Sequence, residues 1–162
     1  MKKVFARLFL VLVAAVAMGC SASELKAGNG AVNYDRPGFV TAVDDGRLWV
    51  FRQGSKEAEA YLQSKSKPAK HVVRVGSGPD GMTVRSPEAS LIDAYMLSRP
   101  GFVTHVEDGR LWVFPVDSED AKNFISNGKK PAKHAVRPGA GPNRMTVRAP
   151  ESSDIDAYLA AQ

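Results

Sequence analysis

From Phe39 onward the chain switches between two kinds of hydrophobic pattern. Phe39–Val43 and Arg47–Phe51 are dense in β-branched and aromatic residues. Asp44, Asp45 and Gly46 between them have the composition of a hairpin turn, with glycine free to take positive φ. The period then lengthens. Ser55 is a candidate helix N-cap, and Ala58, Tyr61 and Leu62 follow at the i, i+3, i+4 spacing of one helical stripe, before Pro68 ends the helical region. His71–Val75 and Met82–Arg85 read as a second pair of strands joined by the Gly-rich segment 76–81. Ser86, Pro87 and Glu88 place a cap, a proline and an acid at the start of a second helix, whose stripe is Ile92, Tyr95 and Met96. The order is ββαββα.

The same order then repeats. Arg36–Phe51 recurs as Arg99–Phe114, and the shift of 63 residues holds without a gap from Lys67–His71 against Lys130–His134 to Ile92–Tyr95 against Ile155–Tyr158. Of the 60 positions in 36–95, 37 are identical in 99–158. Chance does not produce that, and a repeat takes precedence over other fold reasoning. The chain therefore divides into segment 1–19, segment 20–35, a first copy at 36–98 and a second at 99–162, and the predicted fold class is α+β.

The first hairpin carries apolar residues on both faces. Arg47, Trp49 and Phe51 point one way, and Leu48 and Val50 the other. A sheet with one wet face alternates more cleanly. Helices on one side of each sheet and the other copy on the opposite side account for this, which predicts a pseudo-twofold α/β/β/α layering. One continuous sheet across both copies is the competing arrangement. The 143 residues after position 19 suffice for a core without disulfides.

Charge changes the picture at the N-terminus. The chain has a formal net charge of +5 from 22 basic and 17 acidic residues. Lys2, Lys3 and Arg7 supply three of the basic ones. Without them 19 face 17, a net of +2, too little to indicate nucleic-acid binding. The apolar run Leu8–Met18 is 11 residues long, short of the ~20 a spanning helix needs. A short apolar run after positive charges, ending at small residues, reads as a cleavable secretory signal. It ends at Ala17-Met18-Gly19-Cys20, and Cys20 is the only cysteine of the chain.

That tetrapeptide resembles the lipobox of bacterial lipoproteins. The resemblance covers the first twenty or so residues. It implies that the Cys20 thiol receives a diacylglycerol, that cleavage precedes Cys20 and that the new N-terminus is acylated. Ala17 and Met18 are not the commonest choices there. Ser21 at the following position, by resemblance to enterobacterial lipoproteins, favours the outer membrane. Segment 20–35 would then be a Ser-, Gly- and Asn-bearing tether of typical span ~20 Å. A single cysteine excludes an intramolecular disulfide and a four-cysteine zinc site.

Candidate chemistry is sparse. Gly76, Gly78 and Pro79, with Gly139, Gly141 and Pro142, superficially resemble phosphate loops, but they join strands and do not open a helix, so they read as turns. His71 and Met82, with His134 and Met145, are the residue types that hold copper. Along one copy they fall ~13 Å apart at ~3.3 Å per strand residue, which leaves a site shared between copies. His105 replaces Ala42 and reads as a surface or interface residue. No nucleophile elbow, zinc-ligand helix or haem-attachment motif is present. The more suggestive set mixes cations with indoles: Arg47, Trp49, Arg74 and Arg85, repeated as Arg110, Trp112, Arg137 and Arg148. Guanidinium planes and indole faces suit anionic glycans or carboxylates. The same pattern also fits core tryptophans with arginines on a solvated rim.

The expectation is a membrane-anchored envelope lipoprotein, non-enzymatic and without a cofactor. It would serve as a binding or structural module for an anionic envelope polymer or a protein partner, and not for nucleic acid. A periplasmic copper-binding protein is the alternative, and a hydrolase with an unseen site the weakest one.

Overall fold

The computed structural model describes residues 32–161. Cys20 and segments 1–19 and 20–31 lie outside the described residues. Each copy is ββαββα as read from the sequence. The first contains β1 (Phe39–Asp44), β2 (Arg47–Arg52), α1 (Lys56–Ser64), β3 (Val72–Arg74), β4 (Thr83–Ser86) and α2 (Ala89–Met96). The second contains β5 (Phe102–Glu107), β6 (Arg110–Pro115), α3 (Glu119–Asn127), β7 (Ala135–Arg137), β8 (Thr146–Ala149) and α4 (Ser152–Ala160). The fold is α+β with two tandem units.

The copies form two separate four-stranded sheets, ordered β1-β2-β4-β3 and β5-β6-β8-β7. In each, two antiparallel pairs meet along a parallel seam, with Trp49 opposite Arg85 and Trp112 opposite Arg148. The seam needs a crossover, and the segment carrying α1 or α3 supplies it.

Local signals explain the helices. Ser55 Oγ accepts the Ala58 N–H at 3.2 Å and Ser118 Oγ that of Ala121 at 3.1 Å. Both helices end on a left-handed residue, Lys65 (φ 56°) or Gly128 (φ 70°). α2 starts later than its sequence signals indicated. Ser86 remains in β4, paired with Val72, and Glu88 is the N-cap. The following Pro87 disfavours helical geometry at Ser86, which reinforces the strand. Leu62 and Met96, placed in the apolar stripes, are 40% and 39% exposed.

The layering corrects the α/β/β/α expectation. Both faces of each sheet are covered by helices of the same copy. Trp49 and Phe51 pack with Ala58 and Tyr61 of α1, and Trp112 and Phe114 with Ala121 and Phe124 of α3. Leu48, Val50 and Val84 pack with Ile92 and Tyr95 of α2, as Leu111, Val113 and Val147 pack with Ile155 and Tyr158 of α4.

The copies meet head to tail, not about a pseudo-twofold axis. α2 of the first lies on β5 of the second, and no contact of similar extent runs from α4 back to β1. Burial records the asymmetry. Ala94 is fully buried while its counterpart Ala157 is exposed, and Val106 is 7% exposed where Val43 is 48%. Gly38 marks the closest approach. A Cβ there would stand 2.7 Å from Val103 Cγ1, whereas at Gly101 in the second copy nothing lies within 4 Å.

Candidate functional site between the two copies

Trp49 and Trp112 are core residues, 1% and 3% exposed. Each is packed between a histidine and an arginine. His71 lies 5.1 Å and Arg85 5.6 Å from the Trp49 ring, and His134 lies 4.7 Å and Arg148 5.4 Å from that of Trp112. The Nε groups of Arg85 and Arg148 are buried without a protein acceptor. Arg74 and Arg137 are spent on ion pairs with Asp93 and Asp156 of the helices. Of these arginines only Arg47 and Arg110, at the hairpin turns, are exposed. Of the eight residues, Trp49 with Arg85 and Trp112 with Arg148 thus build two similar structural clusters, and the tryptophans present no open platform to a polymer.

The sheet also separates the candidate metal ligands. His71 sits against Trp49 on the α1 face, whereas Met82 packs into the core on the α2 face. His134 and Met145 repeat that separation. Among the described residues no three His, Cys, Asp or Glu side chains converge as metal ligands. The Gly-rich segments are turns. Gly78 N–H donates to Met82 O and Gly141 N–H to Met145 O, each at 2.9 Å, around a single 3-10 turn.

The concave feature lies where the copies meet. A cleft of about 400 Å³ opens between the end of β2, the start of α2, β5 and the end of α3. Its walls mix Pro87, Leu91, Phe124 and Ile125 with Arg52, Glu88, His105, Glu107 and Lys130. Arg52 was missed in the sequence because it has no counterpart: Pro115 holds its position in the second copy. The signal that finds it is departure from the repeat. Of the 17 lining residues 12 differ from their counterparts, against 23 of the 60 aligned positions.

The electrostatics follow from burial. The Arg52 guanidinium lies 4.6 Å from the Phe39 ring and 5.3 Å from that of Phe124, and donates through Nη1 to Thr104 O at 3.0 Å. Burial lowers its pKa to about 10, with Glu88 opposing. His105, 4.9 Å from Phe124, is pushed down to about 4 by burial first and then by Arg52 and Lys130, with Glu107 opposing. It is neutral at pH 7. Glu107 accepts a hydrogen bond from Lys130, which holds its carboxyl below the usual range. A second cleft flanks the other side of α2, and its Arg74 and Asp93 already satisfy one another.

No known protein family, no curated protein and no solved structure matches this chain.

Proposed function

We propose that the chain is a lipid-anchored envelope protein whose folded part is a non-catalytic binding module, taking its ligand between the two copies. The cleft carries the binding half of this reading. It is concave, lined by apolar walls with a few polar groups, and within the ~300–1,000 Å³ range of small-molecule sites. The anchor half rests on the lone Cys20 after an apolar run and Gly19. Two or more acyl chains, at about 0.8 kcal/mol per buried methylene, would hold the protein at a bilayer, with Ser21 favouring the outer one. Partners are then the membrane and envelope components within reach of the tether. The placement of His71 and Met82, and of His134 and Met145, on opposite faces of each sheet speaks against a copper site within one copy.

Metabolic labelling with an alkyne-bearing palmitate analogue tests the anchor. Wild-type protein takes up label and runs shorter by its leader. Cys20→Ser takes up none and keeps the leader. Unlabelled, uncleaved wild-type protein from its own cells overturns this half. Pull-down on purified cell-wall polymer across a salt series tests the partner class. Retention that falls with salt supports an anionic polymer, and absence of retention at low salt removes it.

A further inference from the structure

We propose that the cleft between the copies binds a small organic carboxylate, with Arg52 as its anchor. This deepens the binding reading above and depends on it only for the location of the site.

Arg52 is an arginine short of partners. A guanidinium has five N–H donors in a rigid fork. Arg52 uses Nη1 on Thr104 O, and no other protein acceptor lies within hydrogen-bond distance among the described residues. No carboxylate forms a salt bridge with it there either. Glu88 acts on it only at longer range, and Glu107 is held by Lys130. Phe39 and Phe124 flank the cation and limit its hydration. A half-buried cation on a cavity wall gains most from an oxyanion that accepts two parallel bonds, the geometry in which arginine meets carboxylate.

The surroundings select among anions. Arg52 and Lys130 face Glu57, Glu88 and Glu107, so the lining carries one net negative charge. That balance opposes a phosphate dianion about twice as strongly as a singly charged carboxylate, whose smaller penalty the paired bonds of the fork can offset. Pro87, Leu91, Phe124 and Ile125 then receive an apolar body attached to it. His105, a lining residue, offers one ring N–H donor in its neutral form without adding charge. Because Pro115 replaces Arg52 in the second copy, the site occurs once per chain.

The test is calorimetric titration of the full chain, in detergent micelles, with phenylacetate, phenylacetamide and inorganic phosphate as probes. Phenylacetate should bind at one equivalent, and the two others at least tenfold more weakly. Arg52→Gln should weaken phenylacetate at least tenfold. Gln53→Glu adds a negative charge at an exposed lining position, so it decides the matter if Arg52→Gln fails to fold, and it should weaken binding severalfold. Equal binding of acid and amide, two equivalents per chain, or indifference to both substitutions overturns the carboxylate assignment. Methyl NMR at Leu91 and Ile125 separates the two failures. Shifts with the amide as strong as with the acid keep the cleft as a site and remove Arg52 as its anchor. No shift with any probe removes both.

Discussion

The Thr104 hydroxyl donates to the carbonyl of Ala94 at 2.7 Å, joining the second copy to the first through a fully buried bond. That carbonyl belongs to the last turn of α2, where Ser98 N–H turns back to Tyr95 O instead. Thr104 therefore completes a helix end that the helix itself does not satisfy. The equivalent Thr41 has no preceding copy to meet. Its hydroxyl and N–H both donate to Asp35, just ahead of the first copy. At the other end of the pair, Asp154 stands where α2 has buried Leu91. One end is closed by a carboxylate hydrogen bond and the other by a polar face, as the terminal units of a stacked repeat require.

Replacing Thr104 with Val keeps the volume and leaves Ala94 O, fully buried, without its side-chain donor. The expected loss is about 1–3 kcal/mol by urea unfolding. Thr41→Val, at a half-exposed position, should cost less than half as much. Equal losses at both positions would show that the junction bond adds nothing.

Leu91, 8% exposed, fills the contact between α2 and the second copy. Leu91→Ala should cost about 2–4 kcal/mol, the range of buried leucine truncations. Leu91→Asp installs the residue of the second copy's outer face and should uncouple the halves, so calorimetry should resolve two melting transitions in the variant against one expected for the wild type. A single cooperative transition in Leu91→Asp would mean that the copies are coupled elsewhere.

The sequence made the repeat and the strand order of each hairpin legible, because alternation and turn residues act locally. It did not reveal the junction. α2 has its expected inner stripe in Ile92 and Tyr95, and one complete stripe hides a second. Leu91 and Ala94 form that second face, and only its contact with β5 shows it to be buried. The apolar residues on both faces of β2 were a sound sign of double coverage. The covering element was misassigned because α1 was expected on the same side as α2. Arg52 stayed hidden for a different reason: the duplication makes shared residues prominent, and the cleft is lined mainly by unshared ones.

His105 gives the fold a sensitivity to acid. Its folded pKa of about 4 lies below the ordinary value of 6.5, so between those pH values the unfolded chain binds a proton that the folded chain refuses. Stability from this group is complete above about pH 6.5 and is lost as pH falls toward 4, by roughly 2–3 kcal/mol over the window. Arg52 and Lys130 repel the imidazolium, while Glu107 favours it but is already engaged by Lys130. The urea midpoint of the wild type should fall across pH 6.5–4. His105→Ala, which restores the first copy's residue, should flatten most of that slope. An unchanged slope would assign it to the carboxylates.

The Gly-rich turns permit the last test, because the two copies act as mutual controls. A Cβ at Gly78 would lie 2.7 Å from Val84 Cγ2 and 3.0 Å from Met82 O. At Gly141 the corresponding distances are 2.8 Å to Val147 Cγ2 and 3.1 Å to Met145 O. Neither glycine has positive φ, so the obstacle is space and not backbone conformation. Val84 and Val147 are fully buried and Met82 O accepts the Gly78 N–H, so neither neighbour yields freely. Gly78→Ala and Gly141→Ala should each cost about 1–3 kcal/mol through overpacking. Gly46, with φ +69° and nothing within 4 Å, provides the contrast: its alanine variant meets backbone strain alone and should cost about 1 kcal/mol. Chemical denaturation of the three variants checks the order. Free tolerance of alanine at both Gly78 and Gly141 would mean that these turns relax outward, and the tight seating of the β3–β4 and β7–β8 loops on the core would have to be abandoned.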